Sequence, residues 1–122
     1  MKTSKKDFDI FKKECERWIE FFGLKDYSVR ILHENTEGGG EANIWTDEFQ
    51  KCATIKQSID LKHECLRTKE EIKRAAFHEV CHLLLSDLYF KATCRYLSDS
   101  ELDGTEHAII QRLENLVFEK LS

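Results

Sequence analysis

The chain contains no proline and only five glycines in 122 residues, so it carries little of the punctuation that marks linkers between domains. It has no run approaching the ~18 consecutive apolar residues that span a bilayer, which excludes a helical membrane protein. Its opening stretch, MKTSKKDFDIFKKECERW, interleaves its apolar residues with Lys, Glu and Asp. It therefore lacks the unbroken apolar segment of a secretory signal and reads as a mature N-terminus. No CxxC pair occurs either. The five cysteines, Cys15, Cys52, Cys65, Cys81 and Cys94, are odd in number and widely spaced, against both a disulfide framework and a cysteine-ligated zinc knuckle. Reduced thiols and a cytoplasmic location are expected.

Charge of one sign is also lacking. Lys and Arg total 19 against 23 Asp and Glu, for a formal charge of −4, and the two signs are mixed throughout. No basic stripe exists to neutralise phosphates, so a nucleic-acid partner is disfavoured. With 41% hydrophobic and 34% charged residues, the chain reads as one soluble globular domain over residues 1–122, expected to be a monomer.

What is present is periodic. Phe8, Phe11, Cys15, Trp18 and Phe22 recur at steps of three and four, the apolar stripe of a helix that Gly23 should end. Tyr27, Val29 and Ile31 alternate with Ser28 and Arg30, as in a strand with one buried face. The GGG at residues 38–40 is the expected flexible point. Ala42 to Thr46 and Cys52 to Ile59 alternate on either side of a polar DEFQK turn, predicting a hairpin. Thr68 and Glu71 form a capping-box pair, and KEEIKRAAFHEVCHLLLSDLYF then runs without a breaker to about Lys91, the longest helix. A last helix is expected from Asp103 or Thr105 to Leu121, with Ile109, Ile110, Leu113, Leu116, Val117 and Leu121 on its apolar face. The fold class is α+β: an N-terminal helix, a small antiparallel sheet, a central helix and a C-terminal helix.

Inside the long helix stands His78-Glu79-Val80-Cys81-His82, an HExxH pattern. Residues four apart share a helical face, so both imidazoles can reach one ion at the ~2.0–2.1 Å of a Zn–N bond. Glu79 lies beside the pair, placed to hold a water and accept its proton. Two ordinary helix histidines are the bland alternative. Two imidazoles and a carboxylate on an otherwise apolar helix are, however, costly to bury without a partner, and one zinc ion removes that cost.

A catalytic zinc needs a third protein ligand and one open position. Glu101, Asp103, Glu106, His107 and Glu114 are the downstream candidates. Glu106 precedes Ile109, Ile110 and Leu113 by three, four and seven residues, so it is expected to face inward and complete the set His78, His82 and Glu106. Its alternative role is in a helix cap over Asp103-Gly104-Thr105-Glu106. His107 is the competing ligand, or a rim residue stabilising an oxyanion. Tyr89 lies three turns from His78 and reads as a half-buried structural tyrosine, with contact to substrate as its alternative. Cys81 points away from the pair and reads as a small core residue. Asp87, Asp99 and Asp103 are candidates to orient a ligand imidazole.

These residues resemble the zincin metallopeptidases, in particular the gluzincin-like group in which a glutamate on a following helix completes HExxH. The lead-in CATIKQSIDLKHECLRTKEEIKRAAFHEVCH and the later EHAIIQRLEN also resemble the minimal zincins carried by phages and prophages, similar in style to SprT-like and ImmA-like proteins. HEVCH carries the resemblance, which spans roughly residues 42–118, and EHAIIQRLEN is carried over only at Glu106. It implies a zinc-dependent endopeptidase with Glu79 as general base and a peptide or protein substrate lying along the edge strand ahead of the helix, here Cys52 to Ile59. No metzincin-type HxxGxxH spacing follows His82. No second lobe is visible, so the implied cleft is shallow and suited to a narrow or partner-presented substrate. A zinc-binding but non-catalytic interaction module is the alternative function, and a metal-free helical interaction protein a third.

Overall fold

Ser4 begins the first helix with a complete capping box. Its hydroxyl accepts from the Asp7 N–H at 3.1 Å, and the Asp7 carboxylate accepts from the Ser4 N–H at 2.9 Å. Helix α1 then spans Lys5–Phe21 and buries Phe11 and Cys15 completely, with Phe8 and Trp18 packed against the same core. Gly23 ends it as expected, at φ +66°. The Gly23 N–H bonds to Glu20 O at 3.1 Å and the Leu24 N–H to Ile19 O at 3.0 Å, the two bonds of a Schellman motif.

The computed structural model describes residues 2–61, 68–94 and 98–118; Cys65 and Leu121, named above, lie outside them. Strands β1 (Ser28–His33), β2 (Ala42–Asp47) and β3 (Cys52–Gln57) form one sheet in the order β1-β3-β2. The expected β2–β3 hairpin forms, antiparallel with Ile44 opposite Ile55. Its turn is held by Asp47 Oδ1, which accepts from the Phe49 and Gln50 N–H groups at 3.0 and 3.2 Å, and is closed by Lys51 at φ 52°.

Two expectations are corrected here. The sheet is mixed, because β1 pairs with β3 in parallel, Ile31 beside Ile55. β3 is also the central strand, so Cys52 to Gln57 offers no edge to a peptide. Its inward residues Ala53, Ile55 and Gln57 are at most 2% exposed, a burial that the middle strand attains more readily than either edge. The edge facing the long helix is β2.

Helix α2 spans Lys69–Thr93, with the Thr68 hydroxyl accepting from the Glu71 N–H at 3.2 Å. Its buried line runs through Ile72, Ala76, Glu79, Leu83 and Ser86, at steps of three and four. α1 packs along one side of this line and β2 along the other. Full burial of Ile72 and Leu83 contributes about 1.5–3 kcal/mol each.

Helix α3 spans Asp99–Leu113, starting earlier than expected. Ser98, not Asp103, is its N-cap, accepting from the Glu101 N–H at 3.3 Å. The chain continues as a π-helical turn over Glu114–Phe118. Of the anticipated apolar face, Ile109 is buried and Leu116 packs on the core, whereas Ile110, Leu113 and Val117 remain exposed. No helix of the described residues is long and apolar enough to cross a membrane.

Candidate metal centre

His78, Glu79 and His82 come together as the spacing requires. Their candidate ligand atoms all lie within 4.8 Å of one another, and the Nε2 atoms of the two imidazoles are 3.2 Å apart. Two nitrogens so close either share a proton or face one cation. Tetrahedral coordination at ~2.0–2.1 Å places two nitrogens about 3.3–3.4 Å apart, so the separation of the pair is close to that of two ligands of one ion.

The helix separates the roles of the three residues. His78 and His82 are exposed, His82 in the groove beside β2, whereas Glu79, rotated by one residue, lies on the buried line at 6% exposure. Its Oε2 is buried without a hydrogen-bond partner. Burial pushes the Glu79 carboxyl above its ordinary pKa, His82 and His78 hold it back, and Glu41 adds to the rise. An orphaned carboxylate oxygen beside paired imidazoles fits a site for a divalent cation, and two imidazole donors suit zinc.

The expected third ligand is not brought to this group. Glu106 is exposed on α3, and the buried positions of that helix are Thr105 and Ile109. The inward direction inferred for Glu106 is therefore corrected, and its position in the middle of α3 also removes the capping role. His107 is engaged within its own helix. Its Nδ1 lies 2.8 Å from Asp103 O and 3.4 Å from the Asp103 carboxylate, and these two contacts raise its pKa. Glu101, Asp103 and Glu114 are exposed. Among the described residues, no other His, Cys, Asp or Glu joins the group.

Asp87 lies 3.6 Å from Lys91 Nζ, and Asp99 is exposed in the first turn of α3. Cys81 is half-buried outside the group, and burial pushes its thiol pKa up. Tyr89 differs from its structural reading, being 74% exposed. It lines a cavity of about 400 Å³ with His82, Leu85, Ser86, Ile44 and Thr46, in the groove between α2 and β2. A larger cavity of about 620 Å³, between α1 and β1, contains none of the three motif residues.

A polar network that sequence reasoning missed holds the walls of this groove. Glu48, in the hairpin turn, accepts from the Tyr27 hydroxyl at 2.9 Å, from Ser86 Oγ at 2.5 Å and from Lys51 Nζ at 3.0 Å. Burial alone would raise the Glu48 pKa, but the hydrogen bonds from Ser86, Lys51 and Tyr27 outweigh it and hold the carboxyl below its ordinary value. The available signal was Ser86 itself, a lone hydroxyl seven residues after Glu79 on the buried line of α2.

No family model, curated protein or solved structure matches the chain.

Proposed function

We propose that the chain is a zinc-dependent metallopeptidase. The observation that carries this reading is the approach of His78 and His82 Nε2 to 3.2 Å beside a buried Glu79 oxygen with no partner. His78 and His82 would hold the ion; among the described residues none besides Glu79, the general base of this reading, joins them. When bound, zinc supplies Lewis acidity that brings a water's pKa toward ~7 and polarises a carbonyl.

The chain's own residues supply the rest. Burial raises the proton affinity of the Glu79 carboxylate, which suits a general base that takes a proton from water and returns it to the leaving amine. The outer edge of β2 lies along the groove that contains His82. An extended peptide pairing with that edge is held by backbone hydrogen bonds and crosses in front of the two imidazoles. The substrate edge moves in this way from β3 to β2. The four described cysteines, Cys15, Cys52, Cys81 and Cys94, are free thiols, in keeping with a cytoplasmic setting.

The test is hydrolysis of an internally quenched peptide library by the zinc-loaded chain. Glu79→Gln should retain zinc and lose cleavage. Cleavage by that variant at the parental rate would overturn the reading.

A further inference from the structure

A second cavity, of about 330 Å³, continues the groove past Tyr89. It shares Thr46, Ser86 and Tyr89 with the cavity beside His82, and is completed by Asp47, Glu48, Phe49, Phe90 and Thr93. Its character is different. The cavity beside His82 is lined mainly by Ile44, Leu85 and Tyr89, with no acidic residue. The second has two carboxylates in its wall, no lysine or arginine, and three aromatic rings.

Two of those rings are presented to solvent. Phe49 is 86% exposed and Tyr89 74% exposed, and Phe49 stands edge-on to Phe90 with centroids 5.2 Å apart. The Glu48 charge is balanced by Lys51 at 3.0 Å. Asp47 serves the hairpin turn through Oδ1 alone, leaving its other oxygen directed to no partner within the turn. Ring faces and an acidic group around one slot are complementary to a cation carried on an apolar stem.

We propose that this cavity is a specificity pocket for a lysine or arginine side chain of the bound peptide, two residues from the side chain that fills the cavity beside His82. The spacing follows from strand geometry. Side chains two apart in an extended peptide lie on the same face, about 6.6–6.8 Å from each other. On the protein, the two cavities meet at Thr46, beside the end of β2 at Asp47, so the step between them runs along β2 toward the hairpin turn. The inference rests on the β2-edge mode of peptide binding proposed above, and makes the preferred substrate a cationic peptide.

Binding tests it independently of hydrolysis. Fluorescent, end-blocked heptapeptides carrying lysine or norleucine at each position in turn are titrated into Glu79→Gln protein by anisotropy. Lysine should bind about five- to tenfold more tightly than norleucine at one position, the gain expected of a ring-face cation contact joined by a surface charge pair. Asp47→Asn keeps the Oδ1 acceptor of the turn and should reduce this preference to about two- to threefold, the share of the ring contact, with the norleucine peptides unaffected. Phe49→Ser, at a side chain that is almost fully exposed, should also weaken the lysine peptides selectively. The absence of a lysine preference at every position, or a preference unchanged in both variants, overturns the pocket. Selective binding of cationic peptides without cleavage by the parent chain would sink the peptidase reading and leave the pocket standing; cleavage without cation preference would do the reverse.

Discussion

Ser86 Oγ donates to Glu48 Oε1 at 2.5 Å, joining the long helix, one turn beyond His82, to the hairpin turn that ends β2. Tyr27 and Lys51 bond to the same carboxylate, so the separation between α2 and β2 is set by a buried charge rather than by apolar packing alone. Glu48→Ala leaves the Ser86 and Tyr27 hydroxyls without this acceptor and should cost about 2–3 kcal/mol, measured by urea denaturation. A loss below about 0.5 kcal/mol would show that the network does not brace the groove.

The same group predicts an acid limb. The folded-state pKa of Glu48 lies below its ordinary value, so in this range the unfolded chain binds more protons than the folded one. Its contribution is therefore present above the ordinary glutamate pKa of about 4.3 and is lost as pH falls through the lower folded value. Glu48→Gln should flatten the stability profile below about pH 4.3, and an unchanged acid limb would assign the slope to other carboxylates.

Glu79 has the opposite sign. Burial raises its folded pKa, so the metal-free folded state holds the extra proton and stability falls as pH rises through this region. Glu79→Gln should stabilise the metal-free chain at pH 7 by about 1–2 kcal/mol, because an amide is cheaper to bury than a carboxylate with one unpartnered oxygen. Thermal melts in the presence of chelator measure this. Destabilisation by the substitution would mean that the carboxylate has a partner in solution.

Zinc should bind the parent chain at about one equivalent and raise its melting temperature, by about 2.7 kcal/mol of stabilisation at a hundredfold excess over Kd. His82→Ala and His78→Ala should each abolish that shift, whereas Glu106→Gln, at an exposed position on α3, should leave it intact. Elemental analysis after dialysis gives the stoichiometry. Zinc loss in the Glu106 variant would bring α3 to the centre after all.

Glu106 also marks where sequence patterns stop being informative. Local signals served well: the capping threonine, the glycine that ends α1 and the alternation of the hairpin each depend on residues within a turn of one another, and the imidazole pair is fixed by helical pitch alone. The direction of Glu106 was drawn from Ile109, Ile110 and Leu113, but only Ile109 of these is buried. With Ile110 and Leu113 at the surface, the true stripe passes through Thr105 and Ile109, and Glu106 turns outward. Strand order is likewise a long-range property. The alternation in residues 28–33 and 52–57 holds equally for parallel and antiparallel pairing, and nothing local tells which hairpin strand β1 will join. The Tyr27, Glu48 and Ser86 network joins residues up to 59 positions apart, beyond the reach of any periodicity.

Gly23 provides a test of the local rules free of packing effects. It sits at φ +66°, and a Cβ built there meets nothing within 4 Å, so any cost of adding one is conformational. Gly23→Ala should destabilise the fold by about 1–2 kcal/mol through the left-handed penalty, and Gly23→Asn by less, since asparagine tolerates that region. The order Gly over Asn over Ala in urea midpoints is the expected result. Equal stability of all three would mean that the end of α1 readjusts to relieve the positive φ, and that the Schellman bonds from Gly23 and Leu24 do not fix how α1 delivers the chain into β1.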